Sequence, residues 1–312
     1  MTVAALFSSH SPLIGYNSPG GEAEKEVKAC FKRLGQWVED FKPDLIIEIA
    51  PDHFNGFFYR LMPSFCIGVE ATSIADFGTP AGALPVDKPL AEACVAYLHG
   101  QGIDVAISYD MKVDHGLTQL PDMLFDWDKV PPMIPIFINC AAPPRPPIER
   151  VIKLGEAIGK FAAGLDRNVL IMGSGGLSHD PPTPQLKSAP PEVRERMIRG
   201  GDLSPEERAA RQERVLKEGM KSAAGESDIL DLNPEWDQEI LSLFAAGDFA
   251  AFNRYSDEEI SRLGGRGGHE IRTWLAGLAA LNAVGPYTAR TWYYRPIPEW
   301  IAGFGIMTAE LD

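Results

Sequence analysis

The sequence contains few cysteines, and they are not spaced to bind a metal. The four are Cys30, Cys66, Cys94 and Cys140, which are far apart, and no C-x-x-C spacing occurs. Thiols placed in this way are typical of buried side chains in a reducing compartment, not of zinc knuckles or disulfide-linked secreted domains. We therefore expect free cysteines and a cytoplasmic protein.

Long hydrophobic runs are also missing. No stretch approaches the ~18 consecutive apolar residues that a membrane-spanning helix requires. The first residues, MTVAALFSSHSPL, have no basic segment before a short apolar stretch, which is unlike a signal peptide. We expect a soluble protein with no membrane partner.

Basic residues are outnumbered, with 29 Lys and Arg against 43 Asp and Glu, for a formal net charge of -14. This balance disfavours nucleic acid and anionic membranes as partners, although a small anionic substrate needs only a local basic spot. The 312 residues are 45% hydrophobic and 23% charged. That composition is typical of a globular protein with a sizeable core, and we predict a single domain over residues 1–312.

The first half of the chain alternates short apolar runs with helical patterns. The apolar, often β-branched runs cover residues 3–7, 44–50, 104–109, 133–139 and 168–172, and the helical patterns cover 22–41, 89–99 and 148–165. Near-continuous apolar strands separated by helices predict an α/β fold. Its central sheet should be mostly parallel and flanked by helices on both faces.

The pattern changes after Pro181. Residues 181–205 are rich in proline and charge and are interpreted as a long excursion, followed by a polar helix over 206–224. Residues 233–282 favour helix, broken at the GGRGG stretch, and residues 288–294 favour one more strand. The sequence thus predicts a helical C-terminal segment and a late returning strand.

Four of the six histidines follow predicted strands. They are His10 in SSHSP, His53 in APDHFNG, His115 in KVDHG and His179 in GGLSHD. A single histidine in a loop is more often a surface or hydrogen-bonding residue than a ligand. However, sites in open α/β sheets form beyond the carboxyl ends of the strands, so four histidines in equivalent positions predict one shared site.

The glycine-rich stretch GSGGLSHD, residues 173–180, resembles several phosphate-binding or nucleophile motifs but completes none. A dinucleotide fingerprint would need a helix after it, and a proline-rich segment follows instead. A P-loop would need Gly-Lys-Ser/Thr, and a nucleophile elbow would need a final glycine after Ser178. We interpret the stretch as a tight turn that presents His179 and lets a ligand approach closely.

Histidines combined with a carboxylate, and without cysteine, suit either of two metal centres. One is a hydrolytic zinc site, and the other is a non-haem iron site with two histidines, one carboxylate and open positions. The remaining histidines would then transfer protons near neutral pH.

Eight segments together resemble the class III extradiol ring-cleaving dioxygenases of the protocatechuate 4,5-dioxygenase β-subunit superfamily. They are SSHSPL, APDHFNGFFY, MPSFC, VDHG, GSGGLSH, NPEWD, HEIRTW and YYRPIPEWIAGFG, and the resemblance runs from residue 2 to about residue 309. Any one segment alone is weak, but the set in this order is specific.

This resemblance implies an Fe(II)-dependent enzyme that opens a catechol ring with O2. The implied substrates are 3-(2,3-dihydroxyphenyl)propionate and 2,3-dihydroxycinnamate. The implied product is of the 2-hydroxy-6-oxononadienedioate type, formed in aromatic catabolism. The resemblance also implies a homotetramer.

The resemblance further implies a role for each site residue. His10, His53 and Glu270 match the iron ligands of the family, and His115 and His179 match its two acid–base histidines. His179 is our candidate for the base that assists loss of a catechol proton. The sequence does not decide which of the two histidines is acid and which is base, and His269 is not expected to be a ligand.

The substrate carboxylate would favour an arginine, because the guanidinium group can bind it through two hydrogen bonds. Arg295 and Arg60 are candidates, with a structural salt bridge as the alternative for each. Tyr293 and other aromatic side chains are candidates for the pocket wall, and the others are Phe54, Phe57, Phe58 and Tyr294. Asp52 and Asp114, each beside a key histidine, are candidates to orient the imidazoles, although neighbours in an extended chain point in opposite directions.

Two rival functions remain open from the sequence. A zinc hydrolase with the same ligands would contain stoichiometric zinc and stay active without O2. A non-catalytic binding protein would keep its function when His179 is replaced by Gln.

Overall fold

The chain builds a central sheet with helices on both faces, as described for residues 2–312 by a computed structural model. Its strands are β1 (Val3–Ser8), β2 (Leu45–Ala50), β3 (Phe65–Gly68), β4 (Ala71–Ile74), β5 (Ala81–Ala83), β6 (Ala106–Ser108), β7 (Met111–Val113), β8 (Met133–Ile138), β9 (Val169–Ser174), β10 (Tyr287–Ile297) and β11 (Ala302–Leu311). Its α-helices are α1 (Ala23–Phe41), α2 (Lys88–Gly100), α3 (His115–Leu124), α4 (Ile148–Ala163), α5 (Pro191–Arg199), α6 (Pro205–Ala224), α7 (Pro234–Ala246), α8 (Asp257–Gly264) and α9 (Ile271–Val284).

The main sheet has the strand order β10-β11-β1-β9-β2-β8-β3-β6. Its centre, β1, β9, β2 and β8, is parallel, whereas β11 pairs antiparallel with β1, and β3 pairs antiparallel with β8. Every residue of the four central strands is buried. Burial on both faces explains why these strands are near-continuous apolar runs. The predicted α/β class with helices on both faces is confirmed.

Helices cover the two faces of this sheet. Helices α1 and α3 pack on one face, and α4 and α9 pack on the other. The last pair packs closely because a Cβ at Gly155 or Gly159 of α4 would overlap the carbonyl groups of Ala276 or Ala280 on α9. The core is therefore two apolar layers separated by the sheet.

Some elements differ from the sequence predictions. The closing segment PIPEWIAGFG, which no pattern marked as a strand, leads into β11 beside β1. The excursion over residues 181–205 contains the short helix α5. A small second sheet of β5, β4 and β7 was also missed, because strands of three or four residues carry little periodicity.

The cysteines are free and buried in the structure, as predicted. Burial raises the pKa of the Cys66 and Cys94 thiols to about 12, so they stay protonated and unreactive at neutral pH. Among residues 2–312, no helix combines the length and the apolar character that crossing a membrane would require.

Candidate metal centre and substrate cavity

The carboxyl ends of three parallel strands meet at one edge of the sheet. His10 follows β1, His53 follows β2 and His179 follows β9, and the ends of β1 and β9 are in register at Ser8 and Ser174. This arrangement is the reason why histidines far apart in sequence lie together.

Two further groups join them from helices. His115 is the first residue of α3, and Glu270 immediately precedes α9. The structure thus brings together the five residues singled out from the sequence as metal or acid–base groups: His10, His53, His115, His179 and Glu270.

The side chain of Glu270 lies at the centre of the cluster. Its Oε2 atom lies 3.6 Å from His10 Nε2, and its Oε1 atom lies 3.3 Å from His53 Nε2 and 3.3 Å from His179 Nε2. Donor atoms around one metal ion with bonds of ~2.1 Å lie roughly 3 to 3.5 Å apart. The distances from Glu270 to His10 and His53 are close to this range, and ligand atoms of His10, His53 and His115 lie within 4.8 Å of one another. The cluster therefore has the donor spacing of a metal centre.

His10 and His53 are each oriented through Nδ1, the ring nitrogen that does not face Glu270. His10 Nδ1 lies 3.1 Å from Ser174 Oγ, and His53 Nδ1 lies 3.0 Å from Asp114 Oδ2. Both Nε2 atoms are left facing Glu270. Such outer partners fix ring orientation and are a regular feature of metal-binding histidines.

The other two histidines are held in the same way. His115 Nδ1 lies 2.6 Å from Asp76 Oδ2, and Asp76 Oδ1 accepts the backbone N–H of His115 at 2.8 Å. His179 Nδ1 donates to the carbonyl oxygen of Leu177 at 3.0 Å, because a carbonyl can only accept. Neutral His179 therefore carries its proton on Nδ1 and an open lone pair on Nε2.

Asp114 orients a histidine, but not its neighbour in sequence. Its Oδ2 pairs with His53, whereas the adjacent His115 pairs with Asp76. Asp52 orients no imidazole; it instead accepts backbone N–H groups of the turn after His53, and this corrects the sequence hypothesis for Asp52. Adjacent side chains point in opposite directions, which is the reason for both results.

The glycine turn makes room for His179 and Glu270. A Cβ at Gly176 or Gly267 would overlap the His179 ring, and Gly175 has a φ of +152°, which strongly favours glycine. The backbone N–H of Gly176 also donates to Glu270 Oε2 at 2.9 Å. The turn therefore lets His179 and Glu270 lie side by side.

The buried carboxylate of Asp237 holds the glycine turn in place through hydrogen bonds. Asp237, in the NPEWD segment, accepts the backbone N–H and the hydroxyl of Ser178, each at 2.7 Å, and the hydroxyl of Tyr294 at 2.7 Å. Burial raises the pKa of Asp237, although these donors oppose the shift. The residue before His179 is thus held at two points.

The charges of the cluster favour metal binding. Burial alone would raise the pKa of Glu270, but the charge of His179 and the hydrogen bonds from His179 and His53 hold it well below its ordinary range, so it is a carboxylate. Burial lowers the pKa of His10 to about 3, which leaves that ring neutral. Burial also acts to lower the pKa of His53, but Asp114 and Glu270 raise it well above its usual value. A metal would thus displace a proton from His53 on binding.

The cluster opens into a cavity of about 600 Å³. That size fits a small organic molecule, and the lining is mainly apolar with a few polar groups, as in typical ligand sites. The histidines lie at one side, together with the rings of Phe54 and Phe77, while α5 and α6 close the other side. These two helices contribute three arginines, Arg196, Arg211 and Arg214, and one carboxylate, Glu207.

The arginines and the tyrosine selected from the sequence do not line this cavity. Arg295 and Tyr293 lie on β10, where Arg295 Nη1 is 3.1 Å and Tyr293 Oη is 3.2 Å from Glu26 Oε2. Arg60 is exposed. The three arginines of α5 and α6 replace them as candidates for contact with an anionic substrate. Strand periodicity alone could not show which face of β10 meets the cavity.

Most of the aromatic side chains proposed for the pocket wall also lie outside the cavity lining. Phe54 lines the cavity, but Phe57 stacks on Phe137 with ring centroids 3.9 Å apart, and Tyr294 bonds to Asp237. His269 is fully buried and bonds to Ser261 and Arg272, away from the cluster.

Comparison with known proteins places this geometry in context. The family model described as the catalytic LigB subunit of aromatic ring-opening dioxygenase matches residues 4–305. A Rhodococcus sp. protein is 49% identical over 309 residues, covering 99% of this chain and 98% of its own. A protein of Photorhabdus laumondii is 46% identical over 310 residues, covering 99% and 98%. Both are named 2,3-dihydroxyphenylpropionate/2,3-dihydroxicinnamic acid 1,2-dioxygenase.

A similar protein of the same name occurs in Escherichia coli, 46% identical over 306 residues and covering 97% of each chain. Among solved structures, an uncharacterized protein from Escherichia coli K12 matches with a TM-score of 0.50 and 14% identity, over 99% of each chain. That structure supports the fold alone.

Proposed function

The chain belongs to the family of catalytic LigB subunits of aromatic ring-opening dioxygenases, and from this premise we propose that it cleaves 3-(2,3-dihydroxyphenyl)propionate. We propose 2,3-dihydroxycinnamate as a second substrate. Cleavage beside the two hydroxyl groups would incorporate both atoms of O2 and give a 2-hydroxy-6-oxononadienedioate type product. The names and the full-length identity of the relatives support this choice of substrate.

The observation that carries the proposal is the convergence of His10, His53 and Glu270 on one point beside a small-molecule cavity. Two imidazoles and one carboxylate form the ligand set of non-haem Fe(II) oxygenases, which leaves positions open for substrate and O2. His10, His53 and Glu270 would hold Fe(II), which would supply Lewis acidity toward the catechol and the electron-transfer chemistry that O2 requires. The spacing of these side chains supports the ligand set that the family resemblance implies.

We assign the base to His179. Its Nδ1 proton is donated to the carbonyl of Leu177, so Nε2 is the basic atom of the neutral ring. Burial lowers the pKa of His179, but Glu270 raises it, and the net effect is an increase. Nε2 would take a proton from a catechol hydroxyl as the substrate binds. Glu270 Oε1 lies 3.3 Å from that nitrogen, which stabilises the imidazolium that results.

We assign the acid to His115. Its ring lies against the cavity, and Asp76 holds both its Nδ1 and its backbone N–H. The pairing fixes the ring so that Nε2 faces the reacting region. Nε2 would deliver a proton to the substrate as the ring opens.

The pocket walls complete the mechanism by excluding water. Phe54, Phe77 and Trp300 line the cavity, and α5 and α6 close it from outside. A ring held between such walls is kept from free rotation and from bulk solvent.

The test is an oxygen-uptake assay on protein reconstituted anaerobically with Fe(II). We expect equimolar consumption of O2 and 3-(2,3-dihydroxyphenyl)propionate with a yellow ring-opened product. Turnover that persists after exhaustive chelation would overturn the proposal. Stoichiometric zinc with O2-independent activity would overturn it in favour of a hydrolase.

We also propose that the enzyme is a cytoplasmic homotetramer. The four free, buried thiols agree with a reducing compartment, and the family resemblance supports the assembly. Light scattering on the purified protein tests the tetramer, and a monomer mass would contradict it.

A further inference from the structure

The side of the cavity formed by α5 and α6 is locally basic in a strongly acidic protein. Arg196, Arg211 and Arg214 line it, and Glu207 is the one acidic residue that α5 and α6 add to the lining. Among residues 2–312, none of the three guanidinium groups forms an ion pair with a carboxylate; the hydrogen bonds of Arg196 and Arg211 go to neutral oxygens. Glu207 acts electrostatically on Arg196, and the buried Asp114, Asp76 and Asp52 act on Arg211. None of these carboxylates pairs directly with a guanidinium group, and three such cations at one cavity favour an anionic ligand.

The three arginines differ in how much of their hydrogen bonding is already used. Arg211 Nη1 donates to Asn55 Oδ1 at 2.9 Å, and its Nη2 donates to the carbonyl of His53 at 2.6 Å. Arg211 therefore already holds the segment that contains His53, which we propose as an iron ligand.

Arg196 is less satisfied. Its Nη2 donates to the carbonyl of Phe54 at 3.3 Å, and its Nε is buried with no hydrogen-bond partner. Arg214, one turn from Arg211 on α6, is exposed, lines the cavity and makes no protein hydrogen bond within the described chain. A buried guanidinium nitrogen without a partner is costly unless a ligand supplies an acceptor.

We propose that Arg196, together with Arg214, binds the carboxylate on the side chain of the substrate. This inference rests on the proposed function and names the group that selects acidic catechols over neutral ones. Arg196 donates to the carbonyl of Phe54, the residue that follows His53, and both Arg196 and His53 line the same cavity.

The test compares two substrates on one variant. We expect Arg196→Gln to raise KM for 3-(2,3-dihydroxyphenyl)propionate about 10- to 100-fold, as expected when a charge-assisted bond is lost. Turnover of 3-propylcatechol, of the same chain length without charge, should change less than about 3-fold by the same reasoning. Arg196→Lys should restore part of the lost affinity for the acidic substrate. Arg214→Gln should also raise KM for that substrate.

Arg295→Gln is the matched control, because Arg295 is partly exposed, lies outside the cavity and pairs with Glu26. It should leave both substrates unaffected. Equal losses of both substrates in Arg196→Gln, or unchanged kinetics, would overturn the inference.

A binding measurement separates this inference from the proposed function. Calorimetry with 3-phenylpropionate, which has the carboxylate but no catechol, should detect binding to wild-type protein and at least about 10-fold weaker binding to Arg196→Gln. If wild type cleaves no catechol, the proposed function fails while this binding result still decides the carboxylate site. Equal affinity of both proteins would contradict the site.

Discussion

His115 is held by a carboxylate that is distant in sequence. Asp76 follows β4 in the chain, and its two oxygens bind the ring and the backbone of His115. The flanking residues Ala75 and Phe77 have φ values of 56° and 48°, an uncommon left-handed conformation for residues other than glycine. No pattern in the sequence marks such a turn, which is why Asp76 was not predicted, while the histidines at strand ends were.

Replacing Asp76 by Asn should impair proton transfer and leave the metal bound. We expect kcat to fall about 10- to 100-fold, because an outer partner of a site histidine typically contributes that much. The iron content should stay at the wild-type level. Asp110→Asn is the control, since Asp110 is exposed and pairs with Lys112. A loss of iron in the Asp76 variant would contradict its role at His115.

Glu48 is a second residue that the sequence did not single out. It lies in the middle of β2 with no exposed surface, and neither carboxyl oxygen has a hydrogen-bond partner. Burial raises the pKa of Glu48 well above its ordinary range. The folded protein therefore keeps a proton that the unfolded chain releases.

This difference makes stability depend on pH. As pH rises from about 4.3, the ordinary pKa of a glutamate, toward the raised pKa of Glu48, this group should lower the wild-type free energy of unfolding by up to about 1.4 kcal/mol per pH unit, because the unfolded state binds fewer protons. Glu48→Gln should remove this component, so its stability relative to wild type should grow with pH. Urea unfolding at several pH values measures it, and parallel profiles for the two proteins would contradict it.

At the scale of elements, the site depends on how closely the turn after β9 approaches the segment before α9. Gly267 contacts the His179 ring so closely that a methyl group would overlap it. Glycines in GSGGLSHD were noticed in the sequence, but their partners come from a distant segment. Spacing could predict a tight turn and not the close approach that requires it.

Gly267→Ala should displace the His179 ring. We expect kcat to fall by about 10²-fold or more, the lower range for loss of a positioned base, with iron still bound. The control is Gly35→Ala on α1, where an added Cβ meets nothing within 4 Å. Helix propensity predicts that this control is slightly stabilised, by up to about 1 kcal/mol. Wild-type kcat in Gly267→Ala would show that the ring tolerates the methyl group.

At the scale of the whole molecule, the parallel centre of the sheet was predictable and its edges were not. Strands β1, β2, β8 and β9 are buried on both faces, so apolar runs mark them. The strand β11 contains two glycines and follows a proline-rich turn, and the polar helices α5 and α6 cover a cavity instead of the core. No pattern in the sequences of α5 and α6 indicates that these helices supply the arginines that we propose for the substrate site.

The overall architecture brings the five site residues together from strand ends and helix starts. His10, His53 and His179 follow strands, His115 begins α3, and Glu270 precedes α9. We propose that His10, His53 and Glu270 hold the metal and that His115 and His179 move protons.

The measurement that tests this division most directly is metal content beside turnover in alanine variants of all five residues. We expect His10→Ala, His53→Ala and Glu270→Ala to lose both bound iron and ring cleavage. We expect His115→Ala and His179→Ala to retain iron and lose turnover. Normal iron content in the first three variants, or loss of iron in the last two, would contradict these roles.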